Sequence, residues 1–132
     1  MEPTHRKISS YLTVWQKSVD LVADDYTATA NFPQEEEVFG LTSQLGRSAV
    51  SVPSNVAEGQ GRATKGEFVQ FLSHARGSLF ELETQLCIAG KLGYLSRERL
   101  DDLEVRAEEV ARILNGLLSK LGVGSRKLST IH

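Results

Sequence analysis

From Thr64 to Gly93 the chain reads TKGEFVQFLSHARGSLFELETQLCIAGKLG, and this run settles the class of the molecule. Phe68, Leu72, Ala75, Leu79, Leu82, Leu86 and Ala89 recur at alternating steps of four and three, the seam with which a helix packs into an antiparallel bundle. Thr64 and Glu67 form a capping box, placing a hydroxyl and a carboxylate where the first backbone donors need acceptors. Gly93 stops the run. No alternation of strand type is long enough to compete with this period.

The same grammar extends in both directions. Downstream, Ser96 caps a helix whose seam is Leu100, Leu103, Ala107, Val110, Leu114, Leu117 and Leu121, ending at Gly122. Its other side, with Asp101, Asp102, Glu104, Arg106, Glu108 and Glu109, reads as solvated. Upstream, Gly59-Gln60-Gly61 ends a helix whose core side is Val38, Leu41, Leu45, Ala49, Val52 and Val56, with a bend expected at Pro53. Pro33 suits the first position of that helix, and Glu35, Glu36 and Glu37 suit the positive end of its dipole. Before it, Leu12, Trp15, Val19, Val22 and Tyr26 mark one side of a helix that ends near Ala30, where Asn31-Phe32-Pro33 breaks the pattern. Four helices on short connections predict an all-α, antiparallel up-down-up-down four-helix bundle over residues 11–122. Residues 1–10 read as an N-terminal extension and 123–132 as a flexible C-terminal tail.

Composition limits what such a bundle can do. A chain of 132 residues, 40% hydrophobic and 24% charged, closes one core and one domain. Fifteen Lys and Arg against seventeen Asp and Glu leave a net charge of −2, which denies the molecule the whole-surface basic field of a dedicated nucleic-acid binder. Cys87 is the sole cysteine, so no intramolecular disulfide forms and a cytoplasmic setting is expected. The polar segment Met1–Ser10 lacks the apolar core of a signal peptide, and no apolar run approaches the ~18 residues of a membrane span.

Two helices carry a second uncharged stripe. Opposite the seam of the third lie Ser73, Gly77, Phe80, Thr84 and Cys87; the second has Phe39, Ser43, Gly46, Val50, Ser54 and Ala57. A lone bundle needs one buried stripe per helix, so these predict a homo-oligomer in which both helices meet neighbouring copies.

Chemistry is sparse. Carboxylate-bridged metal bundles need Glu-x-x-His pairs from two helices, and the three histidines, His5, His74 and His132, do not supply two such pairs, so no metal or cofactor is expected. Cys87, on the back stripe, reads as a small buried thiol rather than a nucleophile. Glu81 and Glu83 fall on different sides of their helix and make no acid–base pair. Gly59-Gln60-Gly61 lacks the preceding strand and the Lys-Ser/Thr ending of a phosphate loop. What remains is a polar cluster, Ser51, Asn55 and Glu58, in which Asn55 and Glu58 either satisfy backbone groups freed by Pro53 and the turn, with Glu58 paired to Arg47 or Arg62, or contact an anion. Between residues 44 and 77, Arg47, Arg62, Lys65 and Arg76 outnumber Glu58 and Glu67, a local excess of positive charge that oligomer symmetry would multiply into an RNA-binding patch. An adaptor that binds protein alone, and a small-molecule enzyme built on Asn55, Glu58 and Arg62, are the competing expectations.

Leu12-Thr13-Val14-Trp15, Phe32-Pro33 with its acids, Phe39-Gly40-Leu41, Gln44-Leu45-Gly46-Arg47, the run Ser51 to Gly59 and Gly77-Ser78-Leu79-Phe80-Glu81-Leu82-Glu83 together have a familiar pattern. Over residues 10–121 the chain resembles the bacterial four-helix-bundle family of 23S ribosomal RNA intervening-sequence proteins. The resemblance implies a homopentameric ring and a kinship with the accessory protein of diversity-generating retroelements, which associates with a reverse transcriptase and nucleic acid. A partner that is RNA or a nucleic-acid-processing protein follows as an expectation, and no catalytic residue does. Arg47, Asn55, Glu58, Gly59, Arg62, Gly77, Ser78 and Glu81 occupy the family's characteristic positions. The mild acidity and the acidic fourth helix depart from the strongly basic retroelement protein.

Overall fold

The structure, a computed structural model, describes the backbone of residues 2–123 and the side chains of residues 11–123. The expected flexible tail falls almost wholly outside the described residues. Four helices, α1 (Glu2–Thr29), α2 (Glu36–Gln60), α3 (Lys65–Lys91) and α4 (Arg97–Lys120), make up an all-α four-helix bundle, with no strand among the described residues. Helix α1 begins at Glu2, so the residues read as an extension continue it without a break. Each helix packs against its neighbours in sequence and α4 closes against α1, while the two diagonal pairs make no close backbone approach among the described residues.

The helix ends follow local chemistry. The Glu67 backbone N–H donates to Thr64 Oγ1 at 3.1 Å and the Arg99 N–H to Ser96 Oγ at 3.1 Å, each satisfying a donor that the helix itself cannot. At the other ends Gly93 and Gly122 adopt φ of +82° and +94°, the left-handed turn that lets the next N–H reach back: Tyr94 to Ala89 O and Val123 to Leu118 O. Helix α2 starts later than Pro33, with Glu35 as its cap. Phe32 explains the delay: its ring is buried and lies 5.7 Å from the Tyr94 ring, pinning the α1–α2 connection onto the α3–α4 connection. The carboxylates of Glu36 and Glu37 remain in the first turn of α2. The helix runs on through the buried Pro53.

The core is what the seams of α2, α3 and α4 predict. Leu45, Ala49, Val52, Val56, Leu72, Leu79, Leu82, Leu86, Leu103 and Leu114 are buried, each large side chain contributing roughly 1.5–3 kcal/mol of hydrophobic stabilisation. Helix α1 is different. Its buried row is Tyr11, Val14, Ser18, Leu21, Asp25 and Ala28, one helical position away from the expected row. Leu12, Trp15, Val19 and Tyr26, expected in the core, face outward. The reason is that α1 has two rows at the same spacing, and the row that turns inward is the one broken by Ser18 and Asp25.

Ser18 is accommodated by donating to Trp15 O at 2.9 Å. Asp25 is not accommodated: it is 1% exposed and neither carboxylate oxygen has a hydrogen-bond partner among the described residues. Burial pushes its pKa up from 3.8 to about 6. Where α1 meets α4 near the surface, Lys17 pairs with Glu109 at 3.1 Å, and Arg106 reaches Asp24 at 3.2 Å and Asp102 at 3.5 Å. These pairs are half in water and fix the register of the two helices more than they stabilise it.

Candidate functional site

The polar residues of α2 form a ladder against α3. Ser48 Oγ donates to Gln85 Oε1 at 2.9 Å, and Ser51 Oγ lies 2.7 Å from Ser78 Oγ. Asn55 Nδ2 donates to both Ser51 O and Ser51 Oγ at 2.9 Å. The Asn55 amide therefore serves the Ser51 carbonyl, and not the Ala49 carbonyl that Pro53 leaves without its helical donor. Ser51 joins the two helices and Asn55 braces it from within α2, each hydroxyl and amide finding its partner inside the seam.

One turn on, Glu58 and Arg62 pair at 2.6 Å on the surface, which resolves the choice of partner for Glu58 in favour of Arg62. The Arg62 guanidinium also lies 4.6 Å above the centre of the Phe71 ring, and His74 meets that ring edge-on at 6.1 Å. Gly59 makes this packing possible through lack of bulk: a Cβ there would sit 3.0 Å from both Phe68 Cδ1 and Phe71 Cβ. Lys65, the first residue of α3, is exposed at the same end of the bundle.

The four cations expected to act together are dispersed. Arg62 and Lys65 share the α2–α3 turn. Arg76 is half-buried on the opposite side of α3, where its Nη1 donates to Asn115 Oδ1 of α4 at 3.2 Å while Asn115 Nδ2 holds Ala111 O. Arg47 is exposed in the middle of α2, four helical turns before Arg62, which at 1.5 Å per residue is about 20 Å away. Helical spacing reports which residues share a face of one helix; it does not report which neighbour that face meets.

Arg47 belongs instead to a surface groove of about 500 Å³, lined by Tyr26, Phe39, Thr42, Ser43, Gly46, Val50 and Ser51 besides itself. Tyr26, which 52% exposure leaves standing over the groove, roofs Gly46: a Cβ on that glycine would meet the Tyr26 hydroxyl at 2.7 Å. Of the α2 stripe expected at an interface, Phe39 is 63% exposed, Val50 is exposed and Ser43 half-buried, whereas Gly46 is covered by its own chain. Leu12, Trp15 and Val19 continue the apolar surface along α1. Sequence reasoning missed this half of the surface because it had assigned these residues to the core. The signal was present in the second row of α1, whose apolar members match the helical period as well as the first does.

The α3 stripe lies elsewhere. Gly77, Thr84 and Cys87 are exposed and Ser73 and Phe80 half-buried, so the expectation of a buried thiol fails within the single chain. Ser78 and Gln85 point toward α2, while Arg76 points toward α4; Ser73, three residues before Arg76, and Phe80 and Cys87, four and eleven after it, share the α4 side. Among the described residues no three His, Cys, Asp or Glu side chains gather into a metal site, and no helix is long and apolar enough to cross a membrane.

This arrangement defines a helical bundle with a polar α2–α3 seam, a cation–aromatic turn and an outward apolar face. The profile of the 23S rRNA-intervening sequence protein family matches residues 10–116, and the chain belongs to that family. Its fold is similar to that of a solved protein of unknown function from the S23 ribosomal protein family of Bacteroides thetaiotaomicron. The two share 21% sequence identity and a TM-score of 0.75, over 83% of this chain and 98% of the other. No curated protein matches the sequence.

Proposed function

We propose that the protein is a non-catalytic scaffold that works as a homo-oligomer, its bundle running up, down, up and down. The antiparallel course is supported by pairings whose order reverses along α2 and α3, Ser48 with Gln85, Ser51 with Ser78 and Gly59 with Phe71. It is supported too by the contact between the two connections at Phe32 and Tyr94.

The observation that carries the scaffold reading is the apolar face shared by α1 and α2. Trp15, Val19, Tyr26, Phe39 and Val50 stand in water on adjoining helices while the core beneath them is complete. A continuous exposed face of this kind marks an association surface. The pentameric ring implied by the family resemblance is the form of assembly we adopt, and a cytoplasmic setting fits an exposed free thiol at Cys87. Glu58, the carboxylate on which a small-molecule enzyme would be built, is exposed and held by Arg62, which favours a satisfied turn over an acid–base site.

The test is mass. Light scattering and sedimentation should give a particle five times the mass of the chain, and Tyr26→Glu with Phe39→Glu should reduce it to a folded monomer of unchanged helical circular dichroism. A wild-type chain that sediments as a monomer at all concentrations would overturn the proposal.

Nucleic acid is the second reading, favoured by Arg62 stacked on Phe71 beside Lys65. Repeated around a ring, this pair of cations gives each copy a contact for phosphate and an aromatic neighbour for a base. Fluorescence anisotropy against structured RNA across a salt series measures it. Arg62→Ala with Lys65→Ala should flatten the dependence of log affinity on log salt by about 0.7–0.9 for each phosphate no longer neutralised. No binding at ~50 mM salt, where screening is weak, would leave a protein partner as the scaffold's cargo.

A further inference from the structure

We infer that the surface which covers the α1/α2 groove is the α3/α4 edge of a second copy, joined head to tail. The inference rests on the scaffold reading and adds which faces meet. The chain carries two uncovered faces on opposite edges of its α2–α3 pair. One is the groove, beside α1, where Tyr26 lies over Gly46. The other follows Arg76 along the α4 side of α3 and carries the half-buried Phe80 next to the exposed Gly77, around which a Cβ would meet nothing within 4 Å.

A two-fold contact joins a face to itself, so it would cover one of these and leave the other bare; a head-to-tail contact covers both with a single interface, and is the kind of contact from which a ring is built. Charge distinguishes the two faces in the same sense. Arg47 is the cation at the groove, and on α4 Glu104 and Glu108 stand one turn apart at the α3 edge, where Arg76 of α3 is engaged by Asn115. None of Arg47, Glu104 and Glu108 has an ion-pair partner among the described residues, since Arg106 is turned to Asp24 and Asp102. A head-to-tail contact brings the unpaired cation of one copy to the unpaired carboxylates of the next and lets Phe80 enter a groove of about 500 Å³ walled by Tyr26 and Phe39.

The experiment replaces Val50, at the groove, with p-benzoylphenylalanine in the full chain. Equal amounts of ¹⁴N and ¹⁵N protein are mixed and irradiated, and mixed-isotope crosslinked peptides are read by mass spectrometry. The expected partners are peptides of α3 between Ser73 and Cys87 or of α4 between Glu104 and Asn115. Mixed-isotope crosslinks to α1 or α2 would overturn the head-to-tail contact while leaving the scaffold standing; a chain that stays monomeric overturns both. Charge reversal gives an independent readout. Arg47→Glu should weaken association at least tenfold, and adding Glu104→Arg and Glu108→Arg should recover most of it. Failure of the reversed chain to regain any affinity counts against the pairing of these faces.

Discussion

Replacing Asp25 by Asn tests the most costly feature of the bundle. The carboxyl lies in the inward row of α1, 1% exposed, with both oxygens unpartnered among the described residues, and burial raises its pKa from 3.8 to about 6. An unfolded chain releases this proton near pH 4 and the folded chain near pH 6. Between those values the folded state binds the extra proton, so stability must fall as pH rises through the window and stay lower above it. A shift of about two units corresponds to about 3 kcal/mol lost by pH 8 relative to pH 4 from this group alone. Asn is the neutral isostere. It should leave stability near pH 4 within about 1 kcal/mol of wild type and raise it by about 1–3 kcal/mol at pH 8, because no charge is then forced into the core. Urea unfolding followed by circular dichroism at pH 4 to 8 measures both chains, and their difference cancels every other titrating group. Parallel curves for the two chains, or an Asn variant no more stable at pH 8, would refute the reasoning.

Two further outcomes follow from the packing, both read by the same urea titrations. Gly59→Ala places a methyl 3.0 Å from Phe71 Cβ, an atom that cannot retreat without its backbone; overpacking of about 1–3 kcal/mol should outweigh the ~1 kcal/mol gain in helix propensity, so the variant unfolds at lower urea. Gly93→Ala forces a side chain into φ +82° at the end of α3 and should cost about 1–2 kcal/mol, with no change in the slope of the unfolding transition.

Helices α2, α3 and α4 were legible from sequence because each has a row of aliphatic residues without a polar interruption, and their stops at Gly93 and Gly122 need the positive φ that glycine supplies. The start of α2 was not legible. Pro33 followed by three glutamates satisfies every local rule for a helix start, yet burial of Phe32 against Tyr94 holds the connection extended until Glu35. A tertiary contact between two loops distant in sequence has no local signature. The polar site was half legible. Ser51 and Asn55 lie together as their one-turn spacing on α2 requires, but Asn55 bonds to Ser51 and not to the carbonyl that Pro53 frees, and Arg76 was lost to the α4 side because spacing along α3 does not reveal which helix lies beside it.

Helix α1 was misread for a reason that bears on function. Periodicity favours the more apolar of two rows, and in α1 that row, with Trp15, Val19 and Tyr26, points outward while Ser18 and Asp25 point in. Had folding of the single chain been the only demand on α1, rotation by one position would bury Trp15 and Val19 and return the Asp25 carboxylate toward water. Burial of apolar surface at roughly 25 cal/mol per Å² and release of the buried charge would both favour that rotation. The observed orientation forgoes both gains. A copy docked on α1 and α2 restores the first by covering Trp15, Val19 and Tyr26, which is the physical reason for placing the partner on that face.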